Sequence, residues 1–376
     1  MTSINSNYTK HAQMVKGDLM FDQDYEKPLL ESIKSEVRTE LDIENQSTFF
    51  KCLVKVVGLS LAVLLYGSLH PLFFLIATIF CAKLGTIELA GFGLGSLTVG
   101  IVGMAVSLSF NSGLITFCSA AAGMKDYRAC VIYRNRVMFL DTLVWAFMGI
   151  PMLFIEEIYV ALGQDPNVTP YAVMYVNIVY PSILFYTWFQ AITFYSSTIQ
   201  RFDVPSIATF LASLIQLGLT IVLVNNLQWG FEGICWGIFW NFTSRFVISI
   251  PLLLFSNHPV VNPKVIFISE ETIKNLKPLF IICISACGMA VWTAWAFDSL
   301  VLMSTWLSAE MTAAQTIMRT INMLSFTIPI AFQISCFILI GQSVGEANTT
   351  QIKRIYLTCL TLAVIFGGLS ILFLHK

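Results

Sequence analysis

Charge is scarce in this sequence. Of 376 residues only 11% are Asp, Glu, Lys or Arg, and only four are His. The two signs nearly cancel, leaving a net charge of −1, so the chain offers no basic surface of the kind that neutralises a nucleic acid. Also missing are a Gly-rich phosphate loop ending in Lys-Ser or Lys-Thr, paired catalytic carboxylates in a polar setting, and a Ser/His/Asp arrangement. Nothing points to an enzyme. The nine cysteines form no CxxC pair and sit mostly in apolar runs, so neither a disulfide framework nor a zinc site is expected. Cys283 and Cys287, one helical turn apart, read as packing residues. No metal and no cofactor is expected.

What the chain has instead is apolar length. It is 56% hydrophobic, with a mean hydropathy of +0.76. A soluble domain cannot bury that much apolar surface, so the expected fold class is an all-α polytopic membrane protein. About nine runs are long enough to cross a bilayer: 53–82, 89–117, 135–161, 170–198, 205–226, 231–255, 279–306, 311–340 and 352–374. Short turns join them. The segment before them, residues 1–50, is polar, with nine acids and five Lys/Arg. It reads as a cytoplasmic tail, disordered up to about Pro28. Residues 28–44 carry Leu29, Leu30, Ile33 and Val37 at helical spacing and could form a surface helix. Residues 256–278 read as a cytoplasmic linker.

Positive charge sets the orientation. With the N-terminus inside, the cytoplasmic segments collect Lys51, Lys55, Lys125, Arg128, Arg134, Arg136, Arg201, Lys264, Lys274, Lys277, Lys353 and Arg354. Only Lys83 and Lys376 fall outside. That bias is the positive-inside pattern.

The second and eighth spans end alike. Phe110-Asn111 recurs as Phe332-Gln333 and Gly123 as Gly345, always 222 residues apart. The match suggests duplication of a six-span unit, with both copies entering the membrane from the same side. On this count residues 51–255 make a complete six-helix N-lobe. Residues 279–376 make half of a repeated C-lobe.

One residue is out of place in the apolar pattern. Asp298 lies within the run 279–307, where a carboxylate costs roughly 2.5–3.5 kcal/mol on insertion scales. It reads either as a proton or cation site or as a structural partner for a buried cation, and Arg319, at about the same depth in the next span, is the natural partner. Asp141, in the third span, is a possible secondary proton site or a solvated residue near the cytoplasmic end. Arg245, in the sixth, reads as snorkelling or capping polar neighbours. Gln315 could offer hydrogen bonds to a cavity or to a neighbouring helix. Trp292 and Trp295 could offer ring faces to a cation or act as interface anchors. Pro71, Pro181 and Pro329 read as bends.

Several segments resemble the multidrug and toxic compound extrusion (MATE) family, eukaryotic type. Leu84-Gly85 followed by Glu88-Leu89-Ala90 is similar to the family's first external turn, and Gln164-Asp165-Pro166 to the turn after the third span. The turn at 200–205, the aromatic stretch before Asp298, Ala314-Gln315 and the glycine-rich 341–346 follow in the family's order. The resemblance runs from about residue 50 to the C-terminus. It implies a secondary antiporter that exports organic cations or other xenobiotics in exchange for protons or sodium. Asp298 would be the ion-coupling acid, with Gln315, Trp292, Trp295 and Arg319 in the substrate cavity. The implied setting is the lipid bilayer of the plasma membrane or of a vacuolar or vesicular membrane. Departures from the family pattern are Ile115, Ala120, Thr293 and Leu339, which stand where an acid, a glutamine, a glutamate and an arginine are usual. Full-length relatives have twelve spans, so a second reading is a non-transporting or incomplete membrane protein, either a truncated gene model or a decayed copy of such a transporter.

Overall fold

The structure is a computed structural model that describes residues 23–254, 272 and 276–374. Most of the expected linker 256–278 and the first part of the expected tail lie outside the described residues, as does the side chain of Thr293. The chain divides into two units, Met1–Val54 and Lys55–Lys376. In the first, the chain is helical from Gln23 onward.

Among the described residues every regular element is helical. In chain order they are α1 (Gln23–Leu84), α2 (Thr86–Thr98), α3 (Ala105–Gly123), α4 (Tyr127–Met152), α5 (Ile155–Ala161), α6 (Thr169–Thr198), α7 (Asp203–Ile221), α8 (Phe231–Leu254), α9 (Lys277–Thr305), α10 (Ala309–Gly345) and α11 (Thr349–Leu374). A π-helical stretch, Val99–Met104, joins α2 to α3, and another, Val222–Asn226, extends α7. Six described helical stretches are long and apolar enough to cross a membrane, and the pair α4–α5, bent by 55°, makes a seventh. The fold is that of a polytopic helical membrane protein.

Helix continues unbroken through Pro71, Pro181 and Pro329. A sharp bend falls between Met152 and Ile155, just after Pro151 in the last turn of α4. Proline leaves an i−4 carbonyl unbonded, and near a helix end that loss lets the chain turn.

Helix ends are set by local chemistry. Asp126 caps α4, its carboxylate accepting from the Ala129 backbone N–H at 3.1 Å. Ser308 caps α10 by accepting from Met311 N–H at 3.1 Å, as side-chain oxygens at N-caps do. The chain reverses between α3 and α4 through Lys125, whose φ is 61°, and between α10 and α11 through Ala347, at 53°.

Two apolar clusters fill the interior. One packs α2, α6 and α8 around Phe92, Tyr175, Ile183 and Ile234, with Tyr159 of α5 against them. The other packs α3, α4, α6 and α8 around Leu114, Phe189, Tyr195 and Phe246, and Cys283 of α9 joins it. Small residues bring backbones close, as in membrane helix pairs generally. A Cβ on Gly113 would overlap Cys283, and one on Gly341 would overlap Ser119. α10 therefore lies directly against α3.

One cysteine expectation is corrected. Cys336 and Cys359 are joined in a disulfide with Cα atoms 6.6 Å apart. Their separation of 23 residues gave no motif, but the turn after Gly345 folds α11 back along α10 and sets the two side by side.

Candidate functional site

Asp298 and Arg319 form a buried ion pair. Arg319 Nε donates to Asp298 Oδ1 at 2.7 Å, and their side chains are only 11% and 9% exposed in that order. Arg319 Nη1 also lies 3.4 Å from Ser96 Oγ on α2. The pair rests against the π-helical stretch. A Cβ on Gly100 would stand 3.1 Å from Arg319 Nη2 and 3.7 Å from Asp298 Oδ2. Glycine at this position lets the charged groups approach the backbone, and π-helical turns concentrate at functional sites.

Three helical segments thus supply the site: α9 the acid, α10 the base, and α2 with its π-helical extension the wall. Charges at membrane depth pair with one another and mark ion or substrate routes. The arrangement can do two things: hold a carboxylate in reserve behind its own counter-ion, and release it when a proton or another cation takes the counter-ion's place.

The other expected residues fall as follows. Gln315 is half-buried on α10, one turn before Arg319 and on the same face. Trp295 and Trp292 precede Asp298 on α9 and are 43% and 74% exposed, so neither is enclosed by the described residues. Asp141 belongs to a different place. It is fully buried on α4, and Asn111 Nδ2 on α3 donates to its Oδ2 at 2.9 Å. Its Oδ1 is buried with no hydrogen-bond partner among the described residues. Gly100 and Asn111 are 11 residues apart along the α2–α3 rod, so the two acids sit roughly 16 Å apart along it at 1.5 Å per residue.

Ser96, Gly100 and Asn111 were not singled out by sequence reasoning. For Gly100 a signal existed in the small-residue run Gly91, Gly93, Gly95, Gly100, Gly103. Asn111 was noticed only as a repeat position.

The helical architecture, with a buried ion pair between α9 and α10, is that of a polytopic helical membrane protein. The MatE family model matches residues 62–222. Protein DETOXIFICATION 18 of Arabidopsis thaliana is 29% identical over 160 residues, covering 42% of this chain and 34% of that protein. Multidrug and toxin extrusion protein 2 of Mus musculus is 25% identical over 314 residues, covering 79% of this chain and 51% of that one. The chain therefore spans about a third and about half the length of these two relatives. Among solved structures, the eukaryotic MATE transporter AtDTX14 is similar with a TM-score of 0.76 at 19% identity, over 85% of this chain and 73% of that chain. The Vibrio cholerae MATE transporter VcmN is similar with a TM-score of 0.71 at 14% identity, over 85% and 72%. Over residues 62–222 the chain is similar to the MatE family, and its fold is similar to that of the solved MATE transporters.

Proposed function

We propose that the chain forms the transporting body of a secondary antiporter that exports organic cations and other xenobiotics in exchange for protons, or for sodium, across a plasma, vacuolar or vesicular membrane. Its N-terminus is cytoplasmic on the positive-inside distribution. Its spans number nine, in a six-helix N-lobe at 51–255 and a partial, repeated C-lobe at 279–376, joined by the linker 256–278. The family relatives support transport, and the name multidrug and toxin extrusion protein 2 supports this substrate class.

The observation that carries the mechanism is the ion pair between Asp298 and Arg319. Asp298 is the coupling acid and Arg319 its resident counter-ion. A proton on Asp298 ends the attraction and frees Arg319. An organic cation at the carboxylate does the same by competition, with Gln315 and the faces of Trp292 and Trp295 available to an amphipathic guest. Proton and cation exclude each other at one carboxylate, and that exclusion is the coupling. Asp141, which among the described residues pairs with Asn111 alone, is the secondary proton site.

The test is efflux of a fluorescent cation from sealed vesicles under an imposed pH gradient. Asp298→Asn is expected to insert normally and to lose gradient-driven efflux. Undiminished coupled transport by that variant overturns the mechanism.

A further inference from the structure

Arg245 is a buried cation without an anion among the described residues. It sits on α8, 3% exposed, near the middle of a stretch apolar enough to span the membrane. Its Nη2 lies 3.5 Å from His70 Nδ1 on α1. Its guanidinium lies over the Tyr186 ring of α6, 6.0 Å from the centroid. Its Nε is buried and has no hydrogen-bond partner among the described residues. Among the described residues no carboxylate pairs with it, whereas Arg319 and Arg201 each hold one. Arg134, buried as well, is different again: both its Nε and its Nη2 donate to Asn135 Oδ1.

A second orphan donor stands beside Arg245. Asn241 is 2% exposed and precedes it by one turn on the same face of α8. Its Nδ2 is likewise buried and unpaired among the described residues. The wall around the two is aromatic: His70, Tyr186 and Phe242 pack in tilted pairs, with centroids 4.7–5.9 Å apart. Gln190 adds an amide, its Nε2 donating to Tyr186 Oη at 3.4 Å.

Buried donors are costly unless an acceptor reaches them. A guanidinium stays charged at any working pH, so this one cannot shed its charge to suit the site. A buried charge at membrane depth calls for a partner of opposite sign. We propose that Arg245 and Asn241 form an anion-binding site, walled by His70, Tyr186 and Phe242, that takes a small monovalent anion through its Nε–H and Nδ2–H donors. The anion is a halide from solution or the carboxylate end of an organic acid. Its chemistry is opposite in sign to that of Asp298, and it does not rest on the antiport reading.

The experiment is saturable binding of radiolabelled chloride and of radiolabelled benzoate to the purified full chain in detergent, at fixed ionic strength. At least one probe is expected to bind, and at least tenfold more weakly to Arg245→Gln and to Asn241→Leu. Asn241→Leu, close in volume, keeps the test sound should Arg245→Gln fail to fold. Chloride binding that benzoate does not displace assigns the site to a halide, and benzoate that binds and displaces chloride assigns it to a carboxylate. Asp298→Asn is expected to leave both affinities unchanged, which separates this site from the transport acid. Absence of saturable binding of both probes, or equal affinity in wild type and Asn241→Leu, overturns the proposal.

Discussion

Gly123 and Gly345 lie against each other where α3 meets α10. A Cβ on Gly345 would stand 3.0 Å from Gly123 Cα and would overlap the Ala120 carbonyl. These are the two glycines that recur at the 222-residue offset, and the turns that follow them are built alike. Lys125 and Ala347 both take positive φ. Lys125 N–H donates to Ala122 C=O, and Ala347 N–H to Val344 C=O, each at 3.0 Å. Asp126 then caps α4 through Ala129 N–H, and Asn348 caps α11 through Gln351 N–H, both at 3.1 Å. All of these positions match at the same offset of 222 residues.

That contact has a cost that can be measured. Gly345→Ala would drive a methyl group into backbone, which cannot swing aside, and overpacking of this kind costs about 1–3 kcal/mol. Gly218→Ala is the control, because nothing lies within 4 Å of its Cβ position. It replaces a mid-helix glycine and is expected to be neutral or to stabilise by about 0.5–1 kcal/mol. Thermal melting in detergent is expected to fall for Gly345→Ala and not for Gly218→Ala; a Gly345→Ala protein as stable as wild type would refute the packing account.

The ion pair should behave as a coupled unit. Arg319→Gln strands a buried carboxylate, and breaking such a pair costs about 3–5 kcal/mol. The double variant Asp298→Asn with Arg319→Gln removes both charges and is expected to recover most of the loss. A double-mutant cycle by thermal or denaturant unfolding is expected to give a coupling energy above about 1 kcal/mol. Additive effects would mean that the two side chains act independently.

Asn111 is the single described donor to Asp141, at 2.9 Å. Asn111→Leu leaves both carboxylate oxygens without a donor in a fully buried place and is expected to cost about 1–3 kcal/mol. Adding Asp141→Leu removes the stranded group and should restore much of the stability, measured by the same melting assay. If the double variant is less stable than Asn111→Leu alone, Asp141 has a further partner that holds it in place.

How legible all this was depends on the range of each interaction. Helix positions follow from apolar run length and from turn residues such as Gly85, Gly163 and Asp126, which act locally. The partnership of Asp298 with Arg319 could be guessed because two antiparallel spans joined by a short turn bring residues of equal depth together. The pairing of Asn111 with Asp141 could not, since nothing in the sequence says which faces of α3 and α4 meet. The π-helical stretch at Val99–Met104 has no sequence mark, being one extra residue in a turn. The disulfide between Cys336 and Cys359 was missed for the same reason as Asn111: it depends on how α10 and α11 are rotated. Pro151 drew no notice in the sequence, yet it precedes the break between α4 and α5, while Pro181 lies inside a continuous α6.

The competition at Asp298 gives the most discriminating expectation. If Arg319 is the counter-ion that a guest cation must displace, part of the guest's binding energy goes into breaking a 2.7 Å ion pair. Removing Arg319 removes that opposition and the like-charge repulsion with it. Arg319→Gln is then expected to bind a lipophilic cation such as tetraphenylphosphonium at least tenfold more tightly, about 1.4 kcal/mol. Asp298→Asn in the same background is expected to lose the gain. Tight binding also resists release, so pH-driven efflux by Arg319→Gln is expected to slow even as affinity rises. Equilibrium binding and vesicle efflux measured on the same preparations separate the two effects. Weaker cation binding in Arg319→Gln would show that the arginine supports the cavity instead of guarding the acid.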